Sequence, residues 1–277
     1  MVIKMRLSIS NIAWDASADK IVYGLMKKYG YSGLEIAPTR IFEKNPYEAL
    51  EPAAKWSSEL KSEYGFEIPS MQSIWFGKTE KLFENKAQME ILSQYTKKAI
   101  DFAQAVCCKN LVFGSPKNRV LPDNASKELV SSGIKFFKEL GEYALTKNTA
   151  IGMEANPAIY NTNYINDTKS ALQLIKEVES KGFLLNLDIG AMLENKEKIE
   201  VLEGNSDYIN HVHISEPFLK PIGMTKERQS FHKELSCFLK ENNYKGFVSI
   251  EMGKAEDIAV IEEILAYVKE IFNDNGI

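Results

Sequence analysis

Cysteine is scarce in this chain, and the three present, Cys107, Cys108 and Cys237, do not build a framework. There is no Cys-x-x-Cys, and an odd count with one adjacent pair argues against a set of structural disulfides. Reduced thiols are expected, and with them a cytoplasmic setting. No apolar run approaches the ~20 residues that span a bilayer. The opening Met1-Val2-Ile3-Lys4-Met5-Arg6 also lacks the apolar stretch of a signal peptide. Positive charge is not in excess: a formal net charge of −4 gives no global field for nucleic acid or an anionic membrane. Low-complexity linkers, charge blocks and composition shifts are missing too, so residues 1–277 are expected to form a single domain.

What the chain does have is alternation. With 44% hydrophobic residues it can bury a sizeable core, and eight strand-then-helix units can be read along it. The expected strands are 5–13, 33–36, 68–72, 110–114, 150–154, 183–188, 209–213 and 247–251. Pro69 falls near the start of the third, where a lost amide donor matters least. A glycine closes several intervening helices, at Gly30, Gly65, Gly182 and Gly246. The helix after the sixth strand is expected at 196–203, and a long polar loop after the seventh. Eight such units in 277 residues predict a (β/α)8 barrel. The rival, a doubly wound open sheet, lacks its Gly-x-Gly-x-x-Gly after the first strand.

Four residues carry the chemistry. Glu154, Asp188, His213 and Glu251 end strands five to eight in succession. A single acid after a strand usually favours the start of the next helix. Parallel barrel strands, however, bring their C-terminal ends to one mouth. Three carboxylates and an imidazole aimed at one spot repel unless a divalent cation lies between them. An oxygen-rich set with one imidazole suits Mn ahead of the alternatives Mg, Co or Zn, and does not suit copper(I).

The phrases Gly33-Leu34-Glu35-Ile36, Met153-Glu154-Ala155-Asn156-Pro157, Leu187-Asp188-Ile189-Gly190, His211-Val212-His213 and Ser249-Ile250-Glu251-Met252 resemble the xylose isomerase-like TIM-barrel superfamily. That superfamily holds sugar isomerases and epimerases and also endonuclease IV. Its ketose 3-epimerase branch implies that Glu154, Asp188, His213 and Glu251 bind the metal. Glu154 and Glu251 would also face opposite sides of the sugar carbon. One removes a proton beside the carbonyl, a metal-bound enediolate forms, and the other returns the proton. The branch carries a His three residues after the metal-binding Asp and an Arg six after the metal-binding His. Here those positions are Ala191 and Leu219, so a changed substrate and a lost activity both stay open. A keto-polyol dehydratase and a hydroxypyruvate isomerase are related chemistries, and homo-oligomers follow by resemblance only.

Further candidates for binding the substrate, a small sugar or sugar derivative, are Glu35, Gln72, Asn156, Arg119, Glu216, His232 and Trp14. Glu35 is read as orienting a substrate hydroxyl or a neighbouring imidazole, and five of these have a plain counterpart: pairing with Arg40 for Glu35, satisfied loop backbone for Gln72, a solvated loop carboxylate for Glu216, a helix start for His232, core packing for Trp14. His211 is expected to support the site from behind rather than to ligate. Arg40, Lys117, Arg119, Lys220, Lys226 and Arg228 all fall in loops on the mouth side. They raise an anionic substrate gripped by Arg119, with solvated loop charge as the counter-reading. The functional alternatives are a barrel that binds a sugar or a partner without chemistry and, behind it, an abasic-site nuclease. The nuclease is disfavoured because endonuclease IV uses a surplus of histidines and this chain has three.

Overall fold

The computed structural model describes residues 4–274; Met1 to Ile3, the start of the opening segment considered for a signal peptide, and residues 275–277 lie outside the described residues. Strands β1 (Arg6–Ser10), β2 (Gly33–Glu35), β3 (Asn110–Phe113), β4 (Ala150–Glu154), β5 (Phe183–Asp188), β6 (Ile209–Ile214) and β7 (Phe247–Ile250) pair in parallel, in the order β2-β1-β7-β6-β5-β4-β3. The helices are α1 (Asp19–Tyr29), α2 (Pro38–Ile41), α3 (Leu50–Tyr64), α4 (Lys86–Ala105), α5 (Lys127–Thr146), α6 (Thr168–Val178), α7 (Ile189–Glu194), α8 (Lys226–Glu241) and α9 (Ile258–Lys269). Among the described residues no helix is long and apolar enough to cross a membrane.

The gap between β2 and β3 is closed by residues 67–72. Leu34 N donates to Glu67 O (2.9 Å) and Ile36 N to Ser70 O (3.1 Å) on one side; Met71 N donates to Asn110 O (2.9 Å) on the other. This is the third expected strand, present as separate parallel bridges rather than a continuous ladder. Pro69 has no N–H to give, so the ladder is interrupted inside the stave. Eight parallel staves therefore form a (β/α)8 barrel.

Alternation along each strand divides the core in two. Leu7 and Ile9 of β1 face the helices, where Val22 and Met26 of α1 are fully buried. Each such side chain contributes ~1.5–3 kcal/mol of burial. The barrel interior is different in kind: Ser8, Ser10, Glu35, Ser70, Asn110, Asn186, His211, His213 and Ser249 are all at most 1% exposed. Groups like these are costly when unpaired, at ~1–3 kcal/mol each. Most are cross-linked, as in Asn110 Nδ2 to Asn186 Oδ1 (3.1 Å) and Gln72 Nε2 to Ser10 Oγ (2.6 Å).

Boundaries differ from the sequence reading at the first strand and at two helices: β1 ends at Ser10, and a 3-10 turn, Asn11–Ala13, takes the end of the expected 5–13 span. The helix after β5 starts at once, at Ile189, because Asp188 itself caps it by accepting from Ala191 N at 2.6 Å. Only a 3-10 turn, Ile199–Leu202, occupies the span expected for that helix. Helix α8 begins at Lys226, capped by Thr225, which shortens the polar loop. Glycine ends α1 and α3 with left-handed backbone at Gly30 and Gly65 (φ 77° and 79°), as expected. Near Gly182 and Gly246 the left-handed residues are instead Glu179 and Asn243.

Candidate metal centre

The strand register assembles the site. Asp188 of β5 lies beside His213 of β6, which lies beside Ser249 of β7, and Glu154 of β4 beside Asn186 of β5. Glu251 follows β7 directly, its N donating to Ile214 O at 2.9 Å. One donor atom each from Glu154, Asp188, His213 and Glu251 lies within 4.8 Å of all the others. His213 Nδ1 is 3.1 Å from Glu154 Oε1, 3.2 Å from Glu251 Oε2 and 3.8 Å from Asp188 Oδ2.

The groups behind these four fix their aim. His213 Nε2–H donates to Glu35 Oε2 at 2.9 Å, and His211 Nε2–H donates to the same oxygen at 2.8 Å. A carboxylate behind a histidine sets its tautomer and presents the other nitrogen as a donor to a metal. Asn186 Nδ2 donates to Glu154 Oε1 at 2.8 Å, and Ser215 Oγ donates to Asp188 Oδ2 at 2.6 Å. A side chain at Gly114 would put its Cβ 2.8 Å from Glu154 Oε2, so only glycine leaves room for that carboxylate.

Electrostatics shows why this cluster wants a cation. Burial, then repulsion by Glu154 and Glu251, pushes Asp188 up to about 8. Burial also raises Glu251, although His213 opposes it. Against the cost of its own burial, His213 is held well above the usual imidazole range by Glu251, Glu35 and Glu154. With protons alone the cluster must retain extra ones; a divalent ion would replace them with positive charge at the same place. Three carboxylates and one imidazole nitrogen at this spacing fit such an ion. Glu35, His211 and His213 also come within 4.8 Å of one another. There the Glu35 oxygen is satisfied by two imidazole N–H groups, which needs no ion. Burial would raise Glu35, yet the two imidazoles hold it well below the usual range.

A cavity of about 240 Å³ opens above the cluster, lined by Gln72, Ser115, Asn156, Tyr160, Glu216 and Leu219 together with the three acidic members of the cluster. Glu35 lies beneath it, fully buried, and orients the imidazole rather than meeting the cavity. Gln72 reaches both, donating to Glu35 Oε1 at 3.0 Å. Glu216 lines the wall, with its carboxylate engaged by Arg228 (2.8 and 3.1 Å) and by Gly223 N (3.1 Å). Trp14 is 3% exposed and sits outside the cavity, its indole N–H donating to Asp19 at 2.7 Å.

Two expectations are overturned by geometry. Arg119 is fully buried and does not face the cavity. Its Nη2 donates to Glu154 O (3.0 Å) and Asn156 Oδ1 (2.8 Å), and Asn156 Nδ2 in turn donates to Glu154 Oε2 (3.3 Å). It braces the Glu154 strand end, and cannot grip an anion from there. His232 is also fully buried, on α8, with Nδ1 2.8 Å from the Tyr267 hydroxyl of α9. It is a packing residue between two outer helices and does not line the cavity. Asn186, Ser215 and Tyr160 join the site beyond the residues expected from sequence. Asn186 and Ser215 carry a readable signal, since each lies two residues from a ligand on the same strand face; Tyr160 carries none.

His232 has a measurable consequence for stability. Burial first, then Arg228, holds it down to about 4. A folded value below the unfolded one means this contribution is intact above ~6.5 and is lost as pH falls from there towards 4. The loss should total ~3 kcal/mol at 1.36 kcal/mol per unit. Melts between pH 7 and pH 4.5 should show a steeper loss in wild type than in His232→Phe. Equal slopes would remove His232 from the account.

The family model of the xylose isomerase-like TIM barrel matches residues 24–271. Among solved structures, the chain is similar to a 3-keto-D-glucoside 4-epimerase from E. coli, with a TM-score of 0.71, 18% identity, and coverage of 96% of this chain and 99% of that one. It is similar to a D-allulose 3-epimerase from Methylomonas sp. in complex with D-allulose, with a TM-score of 0.71, 18% identity and coverage of 99% and 98%. It is also similar to a D-psicose 3-epimerase in the presence of D-fructose, with a TM-score of 0.73, 16% identity and coverage of 97% and 98%. At these identities the likeness is one of fold. No curated protein matches the chain in sequence.

Proposed function

The chain belongs to the xylose isomerase-like TIM-barrel family, and from that premise we propose that it is a divalent-metal-dependent isomerase or epimerase of an uncharged sugar or sugar derivative. The observation that carries the reading is the placement of two carboxylates. Glu154 and Glu251 approach His213 Nδ1 to 3.1 and 3.2 Å from β4 and from the end of β7, strands separated by β5 and β6. Both line the cavity, so a sugar carbon between them has one carboxylate on each side.

Glu154, Asp188, His213 and Glu251 would hold the cation, with Mn favoured for this oxygen-rich set. When bound, it would supply the positive charge that polarises a carbonyl and makes the adjacent carbon acidic. The protein's own residues do the rest. One glutamate takes the proton from that carbon and the other delivers a proton to the opposite face. Asn186 and Asn156 hold the two oxygens of Glu154 at 2.8 and 3.3 Å, which keeps its basic edge aimed while the proton moves. Gln72, Ser115, Asn156 and Tyr160 offer hydroxyl partners around the cavity wall. The sugar epimerases named above support the substrate class, as does the size of the cavity, small beside the ~300–1,000 Å³ of sites for larger ligands.

The substrate is read as uncharged because the cavity lining contains no lysine, arginine or histidine and four carboxylates, Glu154, Asp188, Glu216 and Glu251. Of the mouth-side cations, Arg40 is tied to Asp19 at 2.5 Å, Arg228 to Glu216, and Arg119 is buried. The test is incorporation of solvent deuterium into a panel of ketoses and their phosphates with Mn added. Free ketoses should exchange, and each phosphate should show a kcat/KM lower by at least about tenfold, a modest share of the cost of like-charge contact. Phosphates that exchange as well as the free sugars would contradict the uncharged reading. No exchange into any ketose would contradict the isomerase reading itself.

A further inference from the structure

Beside the metal cavity lies an open groove of about 780 Å³, and Ser73 lines both. We propose that this groove is a second ring subsite, so that the substrate is a glycoside or disaccharide whose reacting ring carries a ketone beside the carbon that loses its proton. Its reacting sugar occupies the metal cavity and its second ring lies on Phe76; the inference rests on the sugar reading above.

Size is the first argument. The cavity over the metal cluster has room for little beyond one monosaccharide, whereas the adjoining groove is more than three times larger. A substrate filling both must have two parts, and Ser73 marks the join. Position is the second. Phe76 is 68% exposed, more than any other large hydrophobic side chain among the described residues. It is not on a loose loop. Phe76 N donates to Ser73 O at 2.9 Å and Lys78 N to Trp75 O at 3.0 Å, and Gly77 takes the left-handed backbone (φ 79°) that the turn requires. The neighbouring Trp75 is 2% exposed and anchors the turn through its indole N–H on Thr96 Oγ1 at 2.8 Å. An aromatic ring held out in solvent by a buried anchor is preorganised for a partner, and organising it costs little on binding.

Chemistry is the third argument. A pyranose presents an apolar C–H face with hydroxyl groups at its edge, and an aryl aglycone presents an apolar face of similar size. The groove offers a matching surface: the phenyl face of Phe76, with Arg40, Asp15 and Lys254 along the same lining. Arg40 is fixed by Asp19 and lies 5.5 Å from the Trp14 ring, so its guanidinium is held in place for a hydroxyl. Asp15 and Lys254 pair at 2.6 Å across loops that follow β1 and β7. Trp14, expected from sequence to meet the substrate, thus contributes to the groove wall beneath Arg40 rather than to the metal cavity.

Calorimetry on Mn-loaded protein tests this with paired probes, the methyl and phenyl β-glycosides of glucose, galactose and mannose. For at least one sugar the phenyl glycoside should bind about fivefold to tenfold more tightly than the methyl one, the scale of a single aromatic contact. Phe76→Ala should bring that ratio to about one, and Phe76→Tyr should restore it, with stacking area retained. A ratio near one in wild type overturns the subsite, and so does an advantage that survives Phe76→Ala. A change of oligomeric state in Phe76→Ala with the ratio unmoved would give the ring to a second copy of the chain instead. Metal-independent binding, or none, also overturns the subsite; deuterium exchange into free ketoses then shows separately whether the sugar reading stands.

Discussion

Replacing Glu251 with glutamine is expected to lower turnover about a hundredfold to ten-thousandfold, the range associated with a positioned proton-transfer group. Glutamine has nearly the same shape, so the packing of a side chain in a residue only 7% exposed is kept. What disappears is the capacity to take up and release a proton, together with one negative charge 3.2 Å from His213 Nδ1. Stability should move the other way. Burial raises Glu251 above the usual carboxylate value, so its neutral form is the one the metal-free fold prefers. That contribution is present below the unfolded value and is lost as pH rises through the folded one. Near neutral pH, metal-free Glu251→Gln should therefore melt at or above the wild-type temperature. Loss of deuterium exchange without loss of melting temperature would separate chemistry from folding. Full exchange in the variant would remove Glu251 from the mechanism.

Manganese is expected to raise the melting temperature strongly, and by more at pH 8 than at pH 5. Asp188 decides the sign. It is pushed up from 3.8 to about 8 by burial and by Glu154 and Glu251. Its raised value means that the metal-free fold favours the protonated acid, a contribution complete below ~4 and lost as pH climbs towards 8. A cation needs the ionised form, so it competes with protons at low pH and meets little competition at high pH. Excess ion at about a thousand times its dissociation constant would add ~4 kcal/mol. In a chain of this size that is roughly 10 °C or more. Asp188→Asn should lose the part of the acid-to-alkaline decline that Asp188 adds to that of Glu251, together with most of the rise with Mn. A larger rise at pH 5 than at pH 8 would contradict the account.

The strand ends were legible in the sequence because a short apolar run that stops at an acid or a histidine marks its own boundary. Glu154 and Asp188 end β4 and β5 at the expected residues, and Glu251 stands one residue past β7. The role of Glu35 was half legible: orienting a neighbouring imidazole was one of its readings, and its oxygen holds two. Burial was not legible. Arg119 sits in a loop after a strand, where a cation normally reaches solvent, yet the fold turns its guanidinium inward to brace Glu154 and Asn156. His232 looked free to reach back towards the mouth, but helix α8 starts earlier than expected and directs it at Tyr267. The third stave falls at the expected residues but is less regular than its apolar run implies, since one proline interrupts a ladder that depends on every amide.

Metal analysis of the purified protein after incubation with Mn, wild type beside His213→Ala and Glu251→Gln, tests the central claim most directly. The account predicts about one divalent ion per wild-type chain after exhaustive dialysis, with retention lost in His213→Ala and sharply weakened in Glu251→Gln. Wild type without a retained ion, and with a melting temperature unmoved by Mn, would contradict it.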